Sequence, residues 1–268
     1  MNRTTALLFV SLASAISIAS AAEVDARPPN RLTLSLSGAR QDGVDDSGAG
    51  SLNYLHYLTP NALFGVGAEH QFIEDATITF GSARAAWGRG EPGSRTTLIG
   101  EVLYGEGDDA GRDFDYQVIA GGITQGLTKQ LSLEVEARDF DIDTTHGLLP
   151  KLGVSYLWSP RFLTYVSYAK SVSGNLGTEL TTGRIDYYGS VVNLKFGGAS
   201  GRANPAVLIL QPGITLPAVQ SKQAYAGIGK TFRRGEVLLL ADYLETGQVE
   251  KVTLTLSFTA YLGSRVTR

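Results

Sequence analysis

The stretch "DFDIDTTHG" sets Asp139, Asp141 and Asp143 at alternate positions, with His146 three residues beyond the last. Carboxylates in such an array are hard oxygen ligands for a divalent cation, and an aspartate beside a histidine can activate a water for hydrolysis. The array lacks the glycine and distal glutamate of a calcium loop, however, and a solvated acidic loop accounts for it as simply. The other two histidines offer less. His56 falls beside a predicted turn, and His70 has the parity of apolar Phe64, Val66 and Ala68, so neither suits a base in a cleft. "GIGKT" at 227–231 falls short of phosphate-loop spacing and lies within a strand pattern. The sequence therefore assigns no catalytic residue, no cofactor site and no metal site.

The acidic array ends a longer pattern. Leu131, Leu133, Val135 and Ala137 alternate with Ser132, Glu134, Glu136 and Arg138, which puts an apolar and a charged face on one β-strand. The apolar parity turns acidic from Asp139 onward. Elsewhere Leu32, Leu34 and Leu36 alternate with Thr33, Ser35 and Ser37, and Val252, Leu254, Leu256 and Phe258 with Thr253, Thr255, Ser257 and Thr259. The polar parity across the chain presents Glu69, Gln71, Arg84, Glu101, Glu134, Glu136, Arg138, Asn193 and Lys195. These residues could close an interior by pairing with one another, or line a narrow polar pore.

Alternation predicts strands at 31–41, 50–58, 62–73, 76–88, 95–105, 113–124, 130–139, 148–158, 161–171, 184–197, 205–211, 222–232, 236–245 and 249–262. That makes about fourteen, with about twelve as the alternative, and abundant glycine (32 residues) supports an all-β chain. Short connections such as "LTPN", "SPR" and "FRRG" alternate with longer or acidic ones such as "QDGVDDSGAG", "GEGDDAGRD" and "SVSGNLGTELTTG". Aromatic residues gather at strand ends: Trp87, Trp158, Phe162, Phe196, Phe232 and Tyr261 by the short turns, and Phe72, Tyr104, Phe114, Tyr116, Tyr168, Tyr187 and Tyr243 by the longer ones. Short turns on one rim, long loops on the other and two aromatic girdles describe a transmembrane antiparallel up-and-down β-barrel. On that reading the switch at Asp139 marks the strand leaving the hydrocarbon.

Residues 1–22 have the Arg3-bearing, apolar and small-residue zones of a cleaved signal peptide. Arg3 is the only charged residue among them, so its removal takes the net charge from −3 to −4. There is no basic run for nucleic acid and no cysteine for a disulfide or lipid anchor. The expected organisation is a short N-terminal segment (23–30), a barrel (31–263) and a tail (264–268).

The order of strand patterns, including "YYGSVVNLKFGG", "AYAGIGKTFRRGEVLLLADY" and "KVTLTLSFTAYLG", resembles the YaiO-like outer-membrane β-barrel family. The resemblance implies an outer-membrane barrel and hands over no site residues. The function expected is a non-enzymatic channel or export barrel for small polar solutes or a glycan. The alternatives are a barrel enzyme acting on envelope lipid or peptide, with the loop from Asp139 to His146 as its site, and a closed structural barrel. Expected partners are outer-membrane lipid and lipopolysaccharide, the barrel-assembly machinery and a polar solute or glycan, around a monomer.

Overall fold

The computed structural model describes residues 30–263, except 42–43, 74–75, 92, 110–111, 205–217 and 248. The predicted leader, the 23–29 segment, the 264–268 tail and the predicted strand 205–211 lie outside the described residues.

Among the described residues fourteen strands follow in order: β1 (Asn30–Gln41), β2 (Val44–Thr59), β3 (Ala62–Ile73), β4 (Ala76–Arg89), β5 (Thr96–Asp109), β6 (Arg112–Gly126), β7 (Leu131–Ile142), β8 (Thr145–Ser159), β9 (Phe162–Lys170), β10 (Glu179–Tyr188), β11 (Asn193–Ala203), β12 (Val219–Phe232), β13 (Gly235–Thr246) and β14 (Val249–Leu262). Every strand pairs antiparallel with its sequence neighbours, and β1 pairs with β14 to close the barrel. Closure satisfies every edge, which a β structure in hydrocarbon requires. The seam is in register from Asn30↔Leu262 to Gln41↔Lys251, with a ladder of inward hydroxyls. Thr33 Oγ1 lies 3.0 Å from Thr259 Oγ1, and Ser35 Oγ 2.9 Å from Ser257 Oγ.

Alternation decides which surface each residue serves. Leu34, Leu36, Leu52, Val66, Val102, Val135, Leu152, Val166, Ile228, Leu254 and Phe258 point outward and are exposed, forming an apolar belt around the wall. A belt that large on a closed barrel is the surface a bilayer covers, and it fixes the protein in an outer membrane. Trp87, Trp158, Phe196 and Phe232 lie outward toward the rim that carries both barrel ends, here the lower rim; Phe72, Tyr104, Tyr168 and Tyr243 are outward and exposed above them, whereas Tyr187, expected by a longer loop, sits at the lower end of β10 opposite Phe162, because the chain turns at 189–192.

Three expectations change. Predicted strand 184–197 is two strands, because "YYGSVV" turns at 189–192 and sends Asn193 back along β11. The long acidic loops of the upper rim are mostly strand: β7 runs to Ile142 and β8 resumes at Thr145. Polar side chains do not stop a ladder whose backbone groups still pair, so the hairpins continue beyond the hydrocarbon. Third, Phe114 and Tyr116 are buried on the inner face, and Tyr261 also points inward, where Arg31 sits 5.8 Å from its ring centre; none of the three belongs to a lipid girdle.

Candidate functional site

The inner wall divides into two levels. At mid-height a chain of polar contacts crosses four strands. On β7, Arg138 pairs with Glu136, and Lys151 of β8 places Nζ 2.8 Å from both Glu136 Oε2 and Glu134 Oε1. Tyr165 of β9 donates its hydroxyl proton to Glu134 Oε1 at 3.0 Å. Arg184 of β10 stands 5.4 Å from the centre of the Tyr165 ring and reaches Asp186 Oδ2 at 2.9 Å. Opposite charges within a low-dielectric wall have to be compensated in this way, since an unpaired one would cost several kcal/mol. Yet the Glu134, Glu136, Arg138 and Lys151 side chains keep 15–24 % of their surface accessible, so this level of the lumen is wet.

Local sequence explains how Tyr165 reaches across a whole strand. Gly153 faces it from β8, and a Cβ there would stand 2.6 Å from the tyrosine hydroxyl. The glycine leaves a trough in which the ring lies flat against the wall.

Of the residues expected on the inner face, Glu69, Gln71, Arg84, Glu101, Glu134, Glu136, Arg138, Asn193 and Lys195 all have the inward parity. Gln71 donates to Glu69. Arg84 and Glu101 are direct cross-strand neighbours, and Asn193 Nδ2 donates to Thr231 Oγ1 at 2.8 Å and Glu236 Oε1 at 3.1 Å. Lys195 is the register partner of Asp186.

The other candidate group lies elsewhere. Asp139, Asp141 and His146 are exposed on the outer face, with Asp141 and His146 opposite one another, and Asp143 occupies the β7–β8 turn at φ 50°. They face away from the lumen and no cleft encloses them. Among the described residues no trio of acidic or histidine side chains is arranged to hold a metal. His56 and His70 also point outward, near Tyr54 and Thr79. Further along this upper rim, Glu179 sits at an exposed strand end outside the belt. The Tyr168 hydroxyl, together with Lys170, holds its carboxyl below the usual carboxylate range.

Sequence reasoning missed Lys151, Tyr165, Arg184 and Asp186, the members that join the charges into a chain. It also missed the second level of the wall. Toward the upper rim the inward positions of β4 to β8 turn apolar: Ile78, Phe80, Leu103, Phe114, Tyr116, Val118, Phe140, Ile142 and Leu149 are all under 9 % exposed. Phe80 and Tyr116 meet edge to face at 5.1 Å. The available signal was the inverted alternation in "DFDY" and "DFDI", where aspartates take the outer parity and apolar residues the inner one. Above the bilayer the barrel has water outside, so its hydrophobic side turns in.

No family model and no curated protein matches the sequence. Solved structures share the architecture. The chain is similar to the CymD monoaromatic hydrocarbon channel, with a TM-score of 0.60 and 12% identity over 89% of this chain and 90% of that one. It is similar to the toluene transporter TodX of Pseudomonas putida, with a TM-score of 0.58 and 10% identity over 95% of each chain. A bacterial polysaccharide outer membrane secretin aligns at a TM-score of 0.51 and 9% identity, over 89% of this chain and all of the other. At these identities the likeness concerns the fold.

Proposed function

We propose that the barrel is a non-enzymatic outer-membrane channel passing small polar solutes or a glycan chain. The observation that carries this reading is the wet chain of charges from Arg138 to Asp186, facing a wall of serine and threonine hydroxyls across the β1–β14 seam. Paired charges and neutral hydroxyls offer hydrogen bonds in both directions without the deep well of an isolated ion. A permeating solute can exchange water for wall contacts at little net cost. Within this proposal the chain is grouped with YaiO-like barrels, a reading supported by the resemblance in "YYGSVVNLKFGG" and the closing strand. Its partners are then lipopolysaccharide around the upper wall and the assembly machinery during insertion, with a monomer as the working unit.

The test is single-channel recording of the purified protein in planar bilayers. Ion current well above the lipid leak is expected; a bilayer as tight as protein-free lipid under every condition would remove the reading. A second reading draws on the apolar upper level of the lumen, since CymD, of the same architecture, is a monoaromatic hydrocarbon channel. Vesicles loaded with a fluorescent reporter for either class separate the two, because polar solutes alone should enter under the first. A hydrolytic role has little to stand on with His146 on the outer face, and His146→Ala should leave envelope lipids unchanged.

A further inference from the structure

The wall is not a complete ladder at one place. Pairing between β8 and β9 stops at Lys151↔Ala169, and β8 continues upward to Thr145 without β9 beside it. Residues 171–178 fill the gap as a strap. Val172 N donates to Leu148 O at 3.0 Å and Asn175 N to His146 O at 2.9 Å, as a strand would. The return bonds come from side chains: Leu148 N donates to Ser173 Oγ at 3.2 Å, and His146 N to Asn175 Oδ1 at 2.9 Å. Asn175 Nδ2 also donates to Thr144 O at 2.8 Å, and Asn204 Nδ2 to Asn175 O at 3.3 Å.

The strap carries one apolar side chain into the lumen. Leu176 is 0 % exposed and packs into the apolar cluster that β4 to β8 build below the upper mouth. Gly147, on the inner face of β8, provides its seat: a Cβ there would stand 3.0 Å from Leu176 Cγ. Gly174, at φ 73°, lets the strap lie on β8, since any Cβ would collide with the His146 carbonyl oxygen.

We propose that this strap is the movable closure of the upper mouth, with Leu176 as the latch that sets what enters from that side. The inference rests on the channel reading. Apart from the upper end of β8, the strands are held by backbone ladders to both neighbours and cannot part without opening the wall. The strap is held by isolated bonds, three of them through the Ser173 and Asn175 side chains and one through the Thr178 hydroxyl, which accepts from Asn204 N at 3.1 Å, and by the buried Leu176 and Thr178, so among the described residues it opens at less cost than a paired strand. Lifting it would withdraw Leu176 from the dry cluster and join the wet mid-level lumen to the outside.

The chain has no cysteine, so a disulfide can lock the strap without a competing thiol. The experiment compares the full-length wild type, Gly174→Ala, Asn175→Ala and Leu148→Cys/Val172→Cys in planar bilayers. Gly174→Ala and Asn175→Ala should raise the open fraction by about tenfold, the shift expected from losing one or two hydrogen bonds. The oxidised double-cysteine protein should stay shut, and reductant should restore wild-type openings. If the barrel conducts but oxidation, reduction and both unlatching variants leave the open fraction unchanged, the strap is not the closure and the channel reading survives. If no variant conducts, unlatched ones included, the channel reading fails and takes the closure with it.

Discussion

At the level of single residues, Lys151 is the hinge of the lumen's electrostatics, because its one ammonium serves two carboxylates at 2.8 Å. Lys151→Gln would leave Glu134 with only the Tyr165 hydroxyl and Glu136 with only Arg138. The lumen should then favour cations, seen as a shift of reversal potential in a salt gradient toward the cation equilibrium value. Lys222→Gln, which removes an exposed outer-face lysine paired with Glu245, should leave that potential unchanged. The lost pairing should also cost about 1–3 kcal/mol, less than for a fully buried pair because these side chains still meet water. The two carboxylates were legible from parity alone. Lys151 was not, because the sequence does not say which residue of β8 stands opposite Glu136.

For a strand the governing variable is depth. On β7 the outward series Leu131, Leu133, Val135 and Ala137 gives way to Asp139 and Asp141 on the same face. Arginine at Val135 should destabilise the barrel by about 2–4 kcal/mol, while arginine at Asp139 should cost about 1 kcal/mol or less. Denaturant unfolding in lipid vesicles reads both, and equal costs would mean that the hydrocarbon boundary lies elsewhere. Most strands were legible because a belt in contact with lipid enforces strict alternation. The tight turn at 189–192 was not, since "YYGSVVNLKF" keeps a β-rich composition through the bend and only pairing reveals the reversal.

Over the whole molecule, the lower turns differ in charge from one sector of the upper rim, while the remaining upper strand ends mix Lys170, Arg202 and Lys222 with Glu179 and Glu245. The lower turns and their flanks carry Arg89, Arg95, Lys129, Arg161, Arg233 and Arg234 against Glu91, whereas the upper hairpins of β5 to β8 carry Glu106, Asp108, Asp113, Asp115, Asp139, Asp141 and Asp143. Oppositely charged mouths attract ions of opposite sign, so reversing the voltage changes which ions accumulate in the pore. Barrels inserted in one orientation should pass unequal currents at equal and opposite voltages. The inequality should fade near 1 M salt, where the Debye length falls to about 3 Å. A symmetric current at low salt would show that the rims do not act on the permeating ions.

The sequence by itself determined the two-faced strands, the inward parity of charges such as Glu134, Glu136 and Arg138 and the outward fate of the acidic parity, because each depends only on side chains alternating along one chain. Which charges touch, where the inner face turns from wet to dry, and that residues 171–178 stand in for a missing stretch of ladder were decided by tertiary structure. These features depend on the register between strands and on what lies across the barrel, and pairing partners far apart in the chain leave no local pattern to read.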